Sequence, residues 1–262
     1  MSFDGSDSGA VTVAAMYCFV APEVGEQNLS ALADEIRTQM SRLEVLGTVI
    51  IAPEGLNTTV AGNSGSVEAL VEWLRSAPQV FGGLRDLTPQ YSFCNELPFS
   101  QAVVKVRPEI VTMRAPDADP LVQVGQYVSA REWNALVDDP DVLVIDTRNQ
   151  FEFELGTFAS EAGELAVSPK TVSFADFPAF VERELTGKED RTLALFCTGG
   201  IRCERATSYL LSRGFRDVRH LQGGILSYLR EVEPKDSRWQ GGCFVFDERI
   251  SLGHGLVPVA VP

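Results

Sequence analysis

Short apolar runs that alternate with helical segments constrain the fold of this chain more than any other feature. In the second half, residues 142–145, 193–196 and 218–221 have the length and composition of strands buried on both faces. Segments with helical spacing lie between or beside these runs, at 129–137, 174–185, 203–212 and 225–230. Strands that alternate with helices predict a parallel α/β sheet that is covered on both sides.

The first half of the chain has a different order of elements. Strand-like runs occur at 11–20, 45–51, 56–61, 84–93 and 102–106, with helical segments at 28–43 and 66–76. The order βαββαβ is typical of a ferredoxin-like domain built on an antiparallel sheet. We therefore expect an α/β and α+β chain, in which a ferredoxin-like domain precedes a parallel α/β domain.

Interruptions of the pattern divide the chain into parts. The segment 115–120 (APDADP) has no periodicity and contains two prolines, as linkers often do. We expect a flexible N-terminus at 1–10, a ferredoxin-like domain at 11–114, a linker at 115–125, a catalytic α/β domain at 126–232 and a C-terminal extension at 233–262.

The charge of the chain limits its partners. It has 22 Lys and Arg against 36 Asp and Glu, for a formal net charge of −14. Broad nucleic-acid binding needs clustered cations, so this composition excludes general affinity for polyanions. The first ten residues do not resemble a signal peptide, and no apolar run approaches the about 18 residues of a membrane span. We expect a cytoplasmic protein that does not enter membranes.

The cysteines indicate one reactive thiol. The five cysteines are an odd number and include no C-x-x-C pair, which disfavours a disulfide framework. Only two histidines are present, so we expect no metal site.

A strand-to-helix loop presents the candidate thiol. The run 193–196 delivers Cys197 to the carboxyl edge of the sheet, where ligand sites of α/β proteins lie. Gly199 and Gly200 allow the loop to curl, so that its N–H groups point inward. Arg202 and the N-terminus of the following helix add positive charge. Each of these features favours the thiolate, which makes Cys197 the candidate nucleophile, held by a loop from Thr198 through Ile201 to Arg202.

The size of this loop separates two kinds of chemistry. Cysteine-dependent phosphatases place an arginine six positions after the cysteine, whereas Arg202 stands at position five and Cys203 at position six. Phe196 also occupies the position where those phosphatases usually have a histidine. The shorter loop therefore favours a smaller group than phosphate, such as the outer sulfur of a persulfide.

The loop, the Asp146-Thr-Arg148 segment and the Gly223-Gly224 turn resemble the active site of rhodaneses over residues 125–232. Four motifs together resemble the rhodanese-related tRNA uridine-34 hydroxylases over about residues 12–250: IIAPEGLN at 50–57, DTRN at 146–149, CTGGIRCE at 197–204 and CFVFDER at 243–249. The resemblance implies oxygen-dependent hydroxylation of the wobble uridine to 5-hydroxyuridine, with Cys197 as a persulfide-type catalytic residue, O₂ as co-substrate and the tRNA anticodon loop as partner. No flavin, nicotinamide or iron motif is present, so we name no other cofactor.

Two departures from the family limit what is carried over. Residues 159–167 are longer than the corresponding family segment, which alters a loop that we expect at the rim of the site. Many members also have a cysteine-rich C-terminal region, which this sequence lacks.

A plain sulfurtransferase that moves sulfane sulfur through a Cys197 persulfide is the alternative function, and a non-enzymatic rhodanese-like module is a third.

Several residues have two interpretations. Asp146 and Arg148 either position substrate or, as we favour, pair and support the loop. Cys203 is either a resolving thiol or a packed small residue. The segment 200–220 holds five arginines against two carboxylates, a net of +3 beside the reactive loop. From it we predict RNA contacts by Arg202, Arg205, Arg213 and Arg216, with weak and strongly salt-dependent binding.

Overall fold

The structure, a computed structural model, describes residues 11–20, 27–76, 84 and 86–260. It divides into two compact units between Ile110 and Val111. The predicted flexible N-terminus at 1–10 lies outside the described residues, and the predicted limits at 114, 125 and 232 stay predictions. Ala115 and Ala118, inside the predicted linker, are buried in the core of the second unit.

The first unit is a sheet with two helices. Its elements are β1 (Val11–Phe19), α1 (Gln27–Arg42), β2 (Leu46–Ala52), β3 (Gly55–Gly62), α2 (Ser64–Ser76), β4 (Gln90–Cys94) and β5 (Ala102–Val106). The strand order is β4-β1-β3-β2-β5. Apolar residues at helical spacing, such as Ile36 and Met40 on α1 and Leu70 on α2, are buried together with strand residues in one core.

The ferredoxin-like prediction for this unit is confirmed, with one correction. Strands β1 to β4 pair antiparallel, but β5 pairs parallel with β2, so the sheet is not wholly antiparallel. The run β5 (Ala102–Val106) lies beside β2 at the edge of the sheet, from Gly47↔Ala102 to Ile51↔Val106.

The second unit contains a parallel sheet. Its elements are β6 (Gln126–Val128), α3 (Ala130–Val137), β7 (Val142–Asp146), α4 (Gln150–Leu155), β8 (Gly156–Phe158), α5 (Phe177–Phe180), β9 (Thr192–Phe196), α6 (Ile201–Ser212), β10 (Asp217–Leu221), α7 (Gly224–Glu231), β11 (Trp239–Gly241), β12 (Cys243–Phe244) and β13 (Ser251–Leu252). The order is β6-β10-β9-β7, and every pair in it is parallel. The predicted parallel α/β domain is confirmed.

Alternate residues of β9 point to opposite faces of this sheet, as in any strand. Ala194 and Phe196 are buried in the core that contains Trp133 and Tyr228. Leu193 and Leu195 are buried in the core that contains Phe177, Tyr209 and Leu210. Both faces are therefore covered, which explains why the strand is uninterruptedly apolar.

Two predicted helices differ from the observed ones. The segment 174–185 is irregular: 3₁₀ turns at Phe174–Asp176 precede α5, and wider π turns follow at Val181–Leu185. Pro178 lies in the first turn of α5, where a missing N–H is tolerated. The helix α6 begins at Ile201 rather than at Cys203, which places Arg202 in its first turn.

Residues 233–260 of the predicted C-terminal extension are part of the second unit. Strand β11 pairs antiparallel with β8, and β12 and β13 form a small antiparallel pair. Trp239, Cys243, Val245 and Leu252 are buried in the core beside Trp133. Among the described residues, no helix has both the length and the apolar composition needed to cross a membrane.

Candidate active site

Cys197 lies where the sequence pattern predicts, directly after β9 at the carboxyl end of the parallel sheet. The neighbouring strand β7 ends in register with it, because Asp146 pairs with Phe196. The Thr147 N–H donates to the Phe196 carbonyl at 2.9 Å, so the segment after β7 lies beside the loop that begins at Cys197. Cys197 is 1% exposed.

Backbone groups hold the loop from two sides. The Gly200 N–H donates to Cys197 Sγ at 3.1 Å, and Gly200 has φ +105°, a value that L side chains rarely adopt. On the other side, the N–H groups of Ile225 and Leu226 in the first turn of α7 donate to the carbonyls of Cys197 and Thr198, at 2.9 and 3.0 Å. The loop is thus fixed by hydrogen bonds at both ends.

Charge and hydrogen bonds favour the thiolate of Cys197. Burial alone raises the pKa of this thiol, because a low-dielectric surrounding disfavours the charged form. A hydrogen bond from the Cys203 thiol, the charge of Arg202 and the backbone N–H groups of Cys203 and Gly200 act in the opposite direction. They outweigh burial and lower the pKa of Cys197 to about 6, so the thiolate dominates at neutral pH.

Cys203 is the partner of this thiolate. It is fully buried in the core, and its sulfur lies 3.6 Å from the Thr147 hydroxyl. Burial and the hydrogen bond to Cys197 raise its pKa well above the usual thiol value, so it stays protonated and donates. The packed position is therefore observed, while a role as resolving thiol stays a prediction.

Arg202 forms a buried ion pair that the sequence analysis did not predict. Its guanidinium donates to both carboxylate oxygens of Glu152, at 2.7 and 2.8 Å. Burial raises the pKa of the Glu152 carboxyl, but the charge and hydrogen bonds of Arg202 outweigh burial and hold that pKa below its usual value. Arg202 also donates to the Thr198 hydroxyl at 3.3 Å, which ties the loop to the ion pair.

A sequence signal for Glu152 was available. Asn149 and Glu152 have the spacing of a helix capping box, and the Glu152 carboxylate accepts from the Asn149 N–H at 3.1 Å. That pattern places the carboxylate at the first turn of α4. Its second partner, Arg202, lies 50 residues further along the chain and is found only through the sheet topology.

Asp146 and Arg148 form a second buried pair. Their side chains have no exposure, and Arg148 Nη2 lies 2.6 Å from Asp146 Oδ2. Arg148 also donates to the Gly156 carbonyl, and its guanidinium lies 5.1 Å from the ring centroid of Trp239. Because neither side chain reaches the surface, the arrangement favours support of the site over contact with substrate.

The arginines predicted to contact RNA have unequal exposure. Arg202 and Arg205 are 8% and 4% exposed. Arg213 is half-exposed, lies 3.5 Å from Asp117 and stacks on the ring of Tyr209. Arg216 is exposed and pairs with Asp190 at 2.6 Å. As RNA contacts all four stay predictions, but only Arg213 and Arg216 present their side chains to solvent.

The long segment 159–167 ends beside the carboxyl end of β7, where Val167 pairs with Ile145 and its carbonyl accepts from the Asp146 N–H at 3.0 Å. Ala159 and Leu165 form a bridge that closes it into a tight hairpin. Together with Val142, Leu143 and Arg191, at the amino ends of β7 and β9, it lines a cavity of about 540 Å³. The tip of the segment therefore lies near the amino ends of the strands, whereas its last residue reaches Asp146. Its effect on the rim of the site stays a prediction.

Cys243, from the tail, is buried among the charges of the site. Burial raises its pKa to about 12, even though the nearby charge of Arg148 lowers it. Cys243 is therefore a neutral packed thiol, and β12 packs back against α4. Among the described residues, no group of three or more His, Cys, Asp and Glu side chains converges as metal ligands.

Two family models match the chain. Residues 11–110 match the UPF0176 acylphosphatase-like domain. Residues 129–231 match the rhodanese-like domain. The chain therefore joins these two domains in this order.

Solved structures similar to parts of the chain come from both kinds of domain. The rhodanese-like domain of an Anabaena protein is 18% identical, with 45% of this chain and 80% of that one covered and a TM-score of 0.34. A rhodanese-related protein from Thermoplasma volcanium is 21% identical, with 42% and 95% covered and a TM-score of 0.31. An acylphosphatase from Coxiella burnetii is 14% identical, with 39% and 100% covered and a TM-score of 0.28.

Proposed function

The chain has the architecture of the rhodanese-related UPF0176 proteins, and on that premise we propose that it is a tRNA uridine-34 hydroxylase with Cys197 as its catalytic residue. The substrate is the wobble uridine of the anticodon loop, and the product is 5-hydroxyuridine. Residues 129–231 match the rhodanese-like domain, and the hydrogen bond from the Gly200 N–H to Cys197 Sγ supports a reactive thiol in it.

The thiolate form of Cys197 is the observation that supports its catalytic role. Its sulfur accepts the Gly200 N–H at 3.1 Å, and its pKa is lowered to about 6. A thiolate in a loop this small suits a persulfide, whose outer sulfur is smaller than a phosphate. The four motifs shared with the hydroxylases, two of which lie outside the loop and the neighbouring strand end, support the tRNA part.

The reaction needs an accessible base and two electrons. One oxygen atom of O₂ is inserted at the C5–H bond of uridine, so that a hydroxyl group stands at C5, and the other leaves as water after uptake of two electrons and two protons. Uridine 34 lies in a single-stranded loop, so it reaches a site without the disruption of a helix.

Nucleoside mass spectrometry of tRNA tests the proposal. A bacterial strain without its own hydroxylase is complemented with the wild type, Cys197→Ala or Cys94→Ala. We expect the wild type and Cys94→Ala to restore 5-hydroxyuridine-derived nucleosides at position 34, and Cys197→Ala to restore none. Cys94 is the matched control because it is a half-buried cysteine of the first unit. Restoration by Cys197→Ala contradicts the proposal.

A sulfurtransferase is the second candidate, because the same thiolate loop fits a persulfide formed from thiosulfate. That reaction needs only the second unit and assigns no role to the acylphosphatase-like domain. Strong thiosulfate-to-cyanide transfer by a protein that leaves position 34 of tRNA unchanged favours this candidate.

A further inference from the structure

Three phenylalanine rings form an exposed aromatic cluster on the second unit. The ring of Phe244 lies between those of Phe151 and Phe246, with centroids 5.0 Å apart in both pairs and near-perpendicular planes. Phe151 is 44% exposed and Phe246 is 67% exposed. The cluster therefore presents aromatic surface to solvent, whereas the neighbouring Val245 is buried.

The turn that carries Phe246 is rigidly built. The Arg249 guanidinium pairs with Asp247 at 2.6 Å, with side-chain exposures of only 7% and 1%. The Val245 N–H donates to the Ile250 carbonyl at 2.8 Å and closes the turn. Ile250 has φ +62°, a strained value for a β-branched residue. Strain of this kind is often found at functional sites, and the turn that contains Ile250 carries the exposed side chain of Phe246.

The aromatic cluster borders the candidate active site. Phe151 directly precedes Glu152, whose carboxylate binds Arg202 and lies 3.4 Å from the Thr198 hydroxyl. Phe244 directly follows Cys243, which is buried within the field of Arg148 and Arg202. In each of these two segments, one residue is buried at the site (Glu152 or Cys243), and the phenylalanine next to it (Phe151 or Phe244) belongs to the aromatic cluster.

The charges of the unit decide which occupant fits the cluster. Arg202 and Arg205 are buried, and the more exposed Arg213, Arg216 and Arg219 each have a carboxylate partner. A phosphate that binds these arginines competes with their carboxylate partners and meets a protein of net charge −14, so we expect this segment to add less affinity than five free cations would. Unpaired nucleobases stack on aromatic side chains whatever the backbone charge, so stacking supplies the missing affinity.

We propose that Phe151, Phe244 and Phe246 form a stacking platform for an unpaired base of the substrate RNA, with Phe246 as the main contact. This inference rests on the proposed function, since it names how the anticodon loop is held beside Cys197. The partner is identified by its chemistry, an unstacked base of a single-stranded loop, and double-stranded RNA does not fit.

Binding of a fluorescent anticodon stem-loop RNA to the full chain tests the platform. We expect Phe246→Ala to weaken binding by about tenfold, as for the loss of one stacked base, and Phe246→Tyr to retain wild-type affinity. Val257→Ala is the matched control, because Val257 is an apolar tail residue of similar exposure, 55%. A blunt-ended RNA duplex with the same number of nucleotides, which has no unpaired base, serves as the second ligand, and its affinity should not change in any variant.

Thiosulfate-to-cyanide transfer and position-34 modification are measured on the same proteins. Unchanged sulfur transfer by Phe246→Ala, with weaker RNA binding, supports the platform. Equal RNA affinity of Phe246→Ala and wild type, no binding of the stem-loop by the wild type, or a matching loss of sulfur transfer overturns it. A change of oligomeric state in Phe246→Ala also overturns it, since the cluster would then bind a second copy of the chain.

The readouts also separate this inference from the proposed function. If the wild type binds the stem-loop through Phe246 but does not restore the modification of uridine 34, the hydroxylase proposal fails and the platform stands. If Phe246→Ala restores the modification fully and binds as well as the wild type, the platform fails and the hydroxylase proposal stands.

Discussion

The Cys197 thiol is buried in a place where its neutral form would ordinarily be favoured, and yet its surroundings hold a thiolate. Four donors or charges, from Cys203, Arg202 and the backbone of Gly200 and Cys203, reverse the effect of burial. The hydrogen bond from the Cys203 thiol has the largest lowering effect on this pKa, ahead of the charge of Arg202, which is itself paired with Glu152. The ionisation of Cys197 therefore depends on hydrogen bonds and charges from its immediate neighbours.

The pH dependence of Cys197 tests the role of Cys203. The reactive species is the thiolate, so the rate of alkylation by a small reagent such as iodoacetamide should rise with pH through about 6 and level off above it. Cys203→Ala removes a hydrogen bond to the thiolate and should move this midpoint to higher pH. The rate is followed by mass spectrometry of the Cys197 peptide, with Cys94→Ala as the control. An unshifted midpoint in Cys203→Ala contradicts this role.

Breaking the Arg202–Glu152 pair should destabilise the second unit. Glu152→Gln leaves a buried guanidinium without its counter-charge, which typically costs about 3 to 5 kcal/mol of unfolding free energy. Glu184→Gln breaks the exposed pair with Arg183, whose side chains are 52% and 58% exposed, and should cost less than about 1 kcal/mol. Urea unfolding followed by tryptophan fluorescence compares the two, and equal losses argue against a structural role for the buried pair.

At the scale of elements, the sequence pattern predicts the strands well and the irregular helix poorly. The run at 193–196 is apolar at every position, which predicts a strand buried on both faces without knowledge of the elements that cover it. The composition alone therefore predicts β9. The helix expected over 174–185 keeps Phe174, Phe177 and Val181 buried in one core, as its spacing predicts. It changes from 3₁₀ to α to π turns, which the spacing of apolar residues does not distinguish. The parallel pairing of β5 with β2 also depends on tertiary context, since a single run does not reveal its direction.

In the candidate site too, features set by local sequence were predictable and features set by long-range contacts were not. The loop from Cys197 to Arg202 is local in sequence, so its chemistry was predictable from the residues. The Glu152 partner of Arg202 and the packed tail at Cys243 were not, because each is brought there by long-range contacts.

The first turn of α7 positions the catalytic loop and should not accept a side chain. Gly224 has φ +65°, and a Cβ there would lie 2.4 Å from the Cys197 carbonyl oxygen and 2.6 Å from that of Thr198. We expect Gly224→Ala to displace the loop and to lower the rate of thiosulfate-to-cyanide transfer through Cys197 at least about tenfold, because small displacements of a catalytic group lower the rate strongly.

Gly214→Ala is the matched control for that loop. Gly214 also has a positive φ, +90°, but a Cβ there meets no atom within 4 Å. Its substitution should cost about 1 to 2 kcal/mol of stability through backbone strain alone and leave sulfur transfer unchanged. Steady-state rates of thiosulfate-to-cyanide transfer give the comparison, and similar losses in both variants would assign the effect to strain.

At the scale of the whole molecule, the charge of −14 has a sharper meaning once the arginines are placed. The five arginines of the segment 200–220 are buried or matched by carboxylates, so the local excess of +3 does not present a row of free cations. On the stacking proposal, the affinity for RNA comes from the small uncharged surface of the aromatic cluster.

Salt dependence of tRNA binding distinguishes these two sources of affinity. Proteins that contact 6 to 10 phosphates lose about 10³ to 10⁵ in affinity between 50 and 200 mM salt. We expect the wild type to lose less than about tenfold, a revision of the strong dependence predicted from the sequence. Asp190→Asn removes the partner of Arg216 and should steepen the slope. A steep slope in the wild type, measured by filter binding, contradicts stacking as the main source of affinity.

The burial of Cys197 has a consequence for the choice of sulfur donor. With only 1% of the residue exposed, bulky reagents collide with the loop before they meet Sγ. A second sulfur bonded to Sγ lies about 2 Å from it, so we expect the outer sulfur of a persulfide to be more accessible than Sγ. Small anionic donors such as thiosulfate should therefore load the site far faster than a persulfide on a folded protein, and once loaded the tip is what a substrate meets.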